Sequence, residues 1–258
     1  MIGCIVQARM GSTRLPGKVL KNVEENKTVL DFVIKQLQES KLIDKIVVAT
    51  TDLEEDSKIM DYSKKIGIEC FRGDPKNVLK RHYECAKKFS MPTIVRIPSD
   101  KPLIDPTIVD QNIKFFNENS YDYVTNFLSK STFPSGTEVE IFSYNALEIA
   151  YKNAKLPSEK EHVTSYFSNH ENKFKIKHVE NSENLSNLRY AVDRPEDLEL
   201  VKIIISKIKK RPILVKDIVE LFNLEPELIK LNQNVNRNEG DEKSLKEDKE
   251  FISRKKNV

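Results

Sequence analysis

A chain of 258 residues, 38% hydrophobic and 32% charged, is long enough to bury a core without covalent staples. Its 43 Lys and Arg against 40 Asp and Glu leave a net charge of +3, which argues against a general nucleic-acid or membrane-surface binder. No apolar run reaches the ~20 residues of a membrane span, and the start, Met-Ile-Gly-Cys-Ile-Val, lacks the features of a signal peptide, so a cytoplasmic protein is expected. Three cysteines at unrelated spacings, Cys4, Cys70 and Cys85, fit neither a disulfide framework nor a zinc site. Cys4 and Cys70 lie in apolar stretches and are expected to be buried free thiols.

Residues 2–7 are short and apolar and run into Gly, Ser, Pro and Arg, the pattern of a buried strand ending in a loop. Val29, Phe32, Val33 and Leu37 recur at helical spacing, so residues 28–40 read as an amphipathic helix capped near Thr28. Residues 45–50 predict a strand, 54–66 a helix stopped by Gly67, 68–71 a strand, 75–89 a helix with Pro75 at its start, 93–97 a strand and 106–117 a helix. This alternation predicts a three-layer α/β fold whose sheet is mixed but mostly parallel. The second half departs from it. Residues 122–126, 138–143, 173–179 and 188–192 read as strands, and 146–154, 161–169 and 195–208 as helices. Residues 216–231 read as two short helices. One domain over 1–231 is therefore expected, with an excursion at about 121–190. Residues 232–258 read as a charged tail whose composition predicts disorder.

The richest stretch is Q-A-R-M-G-S-T-R-L-P-G-K-V-L, residues 7–20. Small residues allow backbone N–H groups to face an anion, and Arg9, Arg14 and Lys18 add full positive charge. A loop at the carboxyl end of a first parallel strand is where doubly wound folds bind phosphates. Neither G-x-x-x-x-G-K-[ST] nor G-x-G-x-x-G is present, and a solvated basic turn is the plainer alternative.

The segment A-R-M-G-S-T-R-L-P-G-K resembles the nucleotide-binding signature of the CMP-sugar synthetases, among them CMP-KDO synthetase, acylneuraminate cytidylyltransferase and the spore-coat polysaccharide biosynthesis protein F group. Further resemblance to the last group follows in order along the chain. It is carried by Arg72-Gly73-Asp74 with Val78-Leu79 and Arg81, by Arg96 to Ile104 (R-I-P-S-D-K-P-L-I), and by Phe133 to Phe142 (F-P-S-G-T-E-V-E-I-F). Glu161-His162-Val163-Thr164, Arg189 to Asp193 with Glu196-Asp197-Leu198, and Arg237-Asn238-Glu239-Gly240 complete it. Asp241 replaces a Tyr of the last motif, and Lys160 an Arg before Glu161.

Mg²⁺ usually takes one or two carboxylates plus phosphate oxygens. Asp100 follows the fourth strand, and Asp193 ends the expected strand 188–192, so both carboxylates are expected at one sheet edge. The resemblance implies that these two hold the metal; Asp193 could instead cap the helix at Pro195. Asp197 reads as a helix-dipole partner and Asp52 as a cap. Glu138 and Glu140, two apart in a strand, are expected on one face. His162 beside Glu161 could orient or protonate a substrate group, or could lie on a helix surface.

The resemblance implies transfer of CMP from CTP to an acidic sugar or related acidic acceptor, with release of pyrophosphate, by a homodimer using Mg²⁺ in cell-surface polysaccharide biosynthesis. Ala8, Arg9, Met10, Gly11, Ser12, Thr13, Arg14, Lys18 and Arg72 would bind the nucleotide, Arg72 facing the cytosine. Arg96, Lys101, Glu138, Glu140, Glu161 and His162 would bind the acceptor. Arg9, Lys18, Asp100 and Asp193 would carry the chemistry. A uridylyl- or guanylyltransferase of the same architecture, or a non-catalytic nucleotide-binding homologue, are the alternatives.

Overall fold

The computed structural model describes residues 1–127, 131–235 and 239–256. In chain order it contains β1 (Ile2–Gln7), a hairpin of β2 (Asn22–Glu24) and β3 (Lys27–Thr28), α1 (Val29–Gln38), β4 (Lys45–Thr51) and α2 (Ser57–Lys65). There follow β5 (Glu69–Gly73), α3 (Val78–Lys88), β6 (Thr93–Pro98), α4 (Pro106–Asn119), β7 (Tyr123–Thr125) and β8 (Glu140–Ser143). The remainder is α5 (Tyr144–Asn153), α6 (Pro157–His162), α7 (Ser165–Asn169), β9 (Ile176–His178), α8 (Pro195–Lys207), α9 (Val215–Leu224) and α10 (Glu239–Lys256).

Seven strands form one sheet in the order β5-β4-β1-β6-β8-β7-β9. β5, β4, β1 and β6 are parallel; β8 runs antiparallel to β6 and β7, and β9 is parallel to β7. The expected mixed, mostly parallel α/β architecture is therefore present. The excursion supplies three strands to the same sheet.

Alternation along β1 explains the three layers. Cys4 and Val6 pack on one face with Leu30, Val33 and Leu37 of α1 and Val109 and Ile113 of α4. Ile5 packs on the other with Leu79 of α3 and Leu147 of α5. All three β1 residues are fully buried, the mark of a strand covered on both sides. The Thr28 cap is as expected: its hydroxyl accepts from the Asp31 N–H, and Asp31 accepts from the Thr28 N–H at 2.7 Å. A separate apolar cluster joins α8 and α9 to Phe32 of α1. All three thiols are free; Cys4 and Cys85 are buried, and Cys70, expected to be so, is half-buried.

Three readings are corrected. Residues 188–192 form no strand; a single bridge joins Arg189 to Ser135, and loop contacts hold the segment instead. The backbones there touch closely: a Cβ on Gly136 (φ 114°) would lie 2.9 Å from the Ala191 nitrogen, so only glycine fits. The expected helix 161–169 is broken at Val163, whose φ of 62° and ψ of −59° make a tight turn closed by the Thr164 N–H on the His162 carbonyl. Finally, the tail, whose composition points to disorder while the resemblance at residues 237–240 implies a specific contact, forms α10 over residues 239–256, which packs on α6. Its buried Ser244 and Asp248 supply the tertiary contact that its composition does not advertise.

Candidate active site

The strand order reverses between β1 and β6, and the loops after these strands meet there at the carboxyl edge, the general ligand crevice of open α/β sheets. A cleft of about 890 Å³ opens at this point. The β1 loop, the β6 loop with Asp100, the segment at Asp193, the β5–α3 turn, α6 and α10 all line it. That volume is at the upper end of the range for ligand pockets, about 300–1,000 Å³.

The loop of residues 8–18 folds on its own backbone. The Ser12 and Gly17 N–H groups donate to the Met10 carbonyl at 2.8 and 3.0 Å, and Gly17 takes the left-handed φ of 65° that this return needs. The Met10 N–H donates to Asp56 at 2.6 Å. Asp56, buried and also bonded to the Thr51 hydroxyl, anchors the loop, a role its sequence context does not signal; the cap expected at Asp52 is not formed, the short helix after it starting from Leu53 with no side-chain cap. Ala8, Arg9, Ser12, Thr13, Arg14 and Lys18 line the cleft, whereas Met10 and Gly11 do not.

Lys18 is the centre of the charged site. Its Nζ donates to Asp100 at 2.9 Å, to Asp193 at 2.9 Å and to the Val192 carbonyl at 2.8 Å. Burial by itself would lower the Lys18 pKa, but the two carboxylates outweigh it and hold the ammonium above its ordinary value. Asp193 also accepts from Arg14 at 2.9 Å and Arg189 at 2.8 Å. Burial opposes ionisation there too, yet Lys18, Arg189 and Arg14 hold the carboxyl well below the usual range. Asp193 does not cap α8. The fully buried Asp197 does so from the first turn, accepting the N–H groups of Asp193 and Arg194, which agrees with its reading as a helix-end residue.

Both expected metal carboxylates thus converge on one point, occupied by an ammonium. Two hard oxygen donors suit Mg²⁺ if phosphate oxygens complete the shell. Among the described residues no group of three or more His, Cys, Asp and Glu is placed to hold a metal.

The expected acceptor residues divide into two sets. Glu161 and His162 line the cleft; Glu161 pairs with Arg9 at 3.3 Å and His162 Nε2 meets the Ser244 hydroxyl at 2.6 Å. Arg96, Lys101, Glu138 and Glu140 do not line it. They are buried as two ion pairs, Arg96 with Glu140 and Lys101 with Glu138. Arg96 also donates to Gln7, and Glu140 accepts from the hydroxyls of Tyr123 and Thr164. Burial pushes the Glu140 carboxyl up, but Arg96, Thr164 and Lys101 outweigh it and hold it below the ordinary value. These bonds tie β6, β8 and the segment after α6 together, so the set positions the cleft walls rather than facing a ligand.

Arg72 also stays off the cleft, donating to the carbonyls of Thr51 and Leu53 at 3.1 and 2.9 Å. Arg81, noted in the sequence only as part of a motif, lines it instead. Its guanidinium is buried, one donor is spent on the Asp74 carbonyl, and Nε has no partner. Burial and the nearby Arg9 charge lower its pKa to about 10. Arg237 and Asn238 lie outside the described residues.

No helix among the described residues is long and apolar enough to cross a membrane. A family model described as cytidylyltransferase matches residues 3–234. The spore coat polysaccharide biosynthesis protein SpsF of Bacillus subtilis (strain 168) is 32% identical over 233 residues, covering 86% of this chain and 94% of that protein. A cytidylyltransferase from Leptospira borgpetersenii serovar Hardjo-bovis (strain JB197) is 34% identical with a TM-score of 0.84, over 91% of this chain and 98% of that one. The structure of CMP:2-keto-3-deoxy-manno-octonic acid synthetase complexed with CTP shares the fold at 15% identity, with a TM-score of 0.64 over 80% of this chain and 98% of that one.

Proposed function

The chain belongs to the cytidylyltransferase family, and from that premise we propose that it transfers CMP from CTP to an acidic sugar or a related acidic acceptor in polysaccharide biosynthesis. The observation that carries this reading is the convergence of Lys18, Arg14, Asp100 and Asp193 at the mouth of the β1 loop. A triphosphate brings about four negative charges, and a site for it needs cations that are already oriented. Lys18 and Arg14 are oriented by the two aspartates, and Arg9 by Glu161.

In the reaction an acceptor hydroxyl oxygen attacks the α-phosphorus of CTP. The bond from that phosphorus to the α,β-bridging oxygen breaks, pyrophosphate leaves with the electron pair, and the hydroxyl proton passes to solvent. Phosphoryl-type transfer depends mainly on positioning and electrostatics. Arg9, Arg14 and Lys18 balance the charge that builds on the leaving pyrophosphate. Asp100 and Asp193 would hold Mg²⁺, which when bound neutralises phosphate charge. Arg81, which lines the cleft where Arg72 does not, would face the base. Glu161 and His162, which line the cleft, would contact the acceptor.

Pyrophosphate release measured with CTP, UTP, GTP and ATP, in the presence of Mg²⁺ and a set of acidic sugars, tests this. Release from CTP at least tenfold above the other three is the expected outcome. Equal release from UTP or GTP would refute the base assignment and favour a uridylyl- or guanylyltransferase. No release above background with any of the four would favour a binding protein that kept the fold.

A further inference from the structure

Helix α10 lies beyond the 3–234 segment matched by the family model, yet it forms one wall of the cleft. Two bonds fix its register against α6. Asp248 accepts from the Ser158 N–H at 3.0 Å near the start of α6, and Ser244 meets His162 Nε2 at 2.6 Å at its end. The partners are four residues apart on each helix, so one turn of α10 is matched antiparallel to one turn of α6. Ser244 and Asp248 are 6% and 8% exposed, as packed core positions are. Ser244, Glu247 and Phe251 fall at positions i, i+3 and i+7, one face of the helix, and all three line the cleft.

The cleft has three walls. The β1 loop with the two aspartates takes the phosphates, and the β5–α3 turn with Arg81 takes the base. The third wall, α6 with α10, remains for the second substrate. It carries Lys155 and Lys160 from the α6 side, and Ser244, Glu247 and Phe251 from α10.

We propose that α10 builds the acceptor end of the site, and that Ser244, Glu247 and Phe251 select an acceptor that is both acidic and polyhydroxylated. The inference rests on the cytidylyl-transfer reading. Lysines on one side pair with a carboxylate. A carboxylate and a hydroxyl on the other side take hydrogen bonds from sugar hydroxyls, and an aromatic ring packs against the apolar C–H face of a pyranose. Ser244 acts partly through His162, whose ring it orients.

Calorimetric titration of the full chain with CMP and with CMP-N-acetylneuraminate, a nucleotide carrying an acidic polyol, tests the proposal. The intact protein is expected to bind the sugar nucleotide at least tenfold more tightly than CMP. Glu247→Gln and Phe251→Ala should each cut that ratio at least fivefold while the Kd for CMP stays within twofold. Ser244→Ala should do the same, and Ser244→Thr should restore the ratio. An unchanged ratio in all the variants, or a ratio near one in the intact protein that nonetheless binds CMP, overturns the acceptor wall and leaves the nucleotide assignment standing. A protein that binds neither CTP nor CMP overturns the nucleotide reading and this inference with it.

Discussion

Lys18→Met removes the ammonium that bridges Asp100 and Asp193 and keeps most of the aliphatic stem. Three hydrogen bonds from the ammonium are lost, to Asp100 and Asp193 at 2.9 Å and to the Val192 carbonyl at 2.8 Å, those to the carboxylates each about 1.5–3 kcal/mol. The side chains of Asp100 and Asp193 are 24% and 18% exposed, so water screens part of that sum, and about 2–3 kcal/mol of stability should be lost near neutral pH. For a domain of this size that is a fall in Tm of roughly 4–12 °C. The pH dependence has a definite sign. The Asp193 carboxyl is held below its unfolded value, so its contribution is present above about pH 4 and is lost as the pH falls below it. The Lys18 ammonium is held above its ordinary value, so its contribution is present below that value and lost as the pH rises through the raised one. In Lys18→Met the acid limb should flatten in part, because Arg14 and Arg189 still hold Asp193. Urea unfolding at pH 3, 5 and 7, with calorimetry of CTP, measures both effects. CTP affinity should fall at least tenfold, with Lys18→Arg recovering part of it, since a planar fork cannot replace a compact point charge. A variant as stable as the parent within about 0.5 kcal/mol and with unchanged CTP affinity would refute the role given to this lysine.

Three further outcomes are expected. Asp100→Asn and Asp193→Asn should each lower kcat at least 100-fold, about 2.7 kcal/mol, with circular dichroism unchanged; activity within threefold of the parent at matched Mg²⁺ would contradict the assignment. Glu140→Gln leaves Arg96 buried without its counter-charge and should cost about 3–5 kcal/mol of stability, while the Kd for CTP of the folded protein stays within threefold; a selective loss of CTP binding in a fully stable variant would return Glu140 to the cleft. Arg81→Met should weaken CTP at least tenfold and Arg72→Ala less than threefold, and the reverse order would restore Arg72 as the residue facing the base.

The sequence by itself determined the architecture and which charged residues meet at the carboxyl edge of its sheet. Apolar runs such as residues 45–50, alternating with amphipathic helices such as 29–38, leave little choice but a largely parallel sheet covered on both faces. A basic, small-residue loop directly after the first strand must then lie at the sheet's carboxyl edge. Asp100 and Asp193 could be placed there because each follows a short apolar segment, although the segment before Asp193 proved to be a loop held by Ser135 and Lys18. Which polar side chains face the cleft was decided only by tertiary structure. Glu138 and Glu140 carry the same charge as Asp100 and, like it, each pairs with a cation from another segment; the difference is that Asp100 lines the cleft while the Lys101–Glu138 and Arg96–Glu140 pairs are buried away from it. Arg72 and Arg81 are equally basic in sequence; the fold turns Arg72 onto the Thr51 and Leu53 carbonyls and places Arg81 in the cleft lining. The tail shows the same rule most plainly. A helix of mixed charge with few apolar residues has no local reason to persist, and α10 exists where it does because Ser244 and Asp248 find partners on α6, some 80 to 90 residues away in the chain.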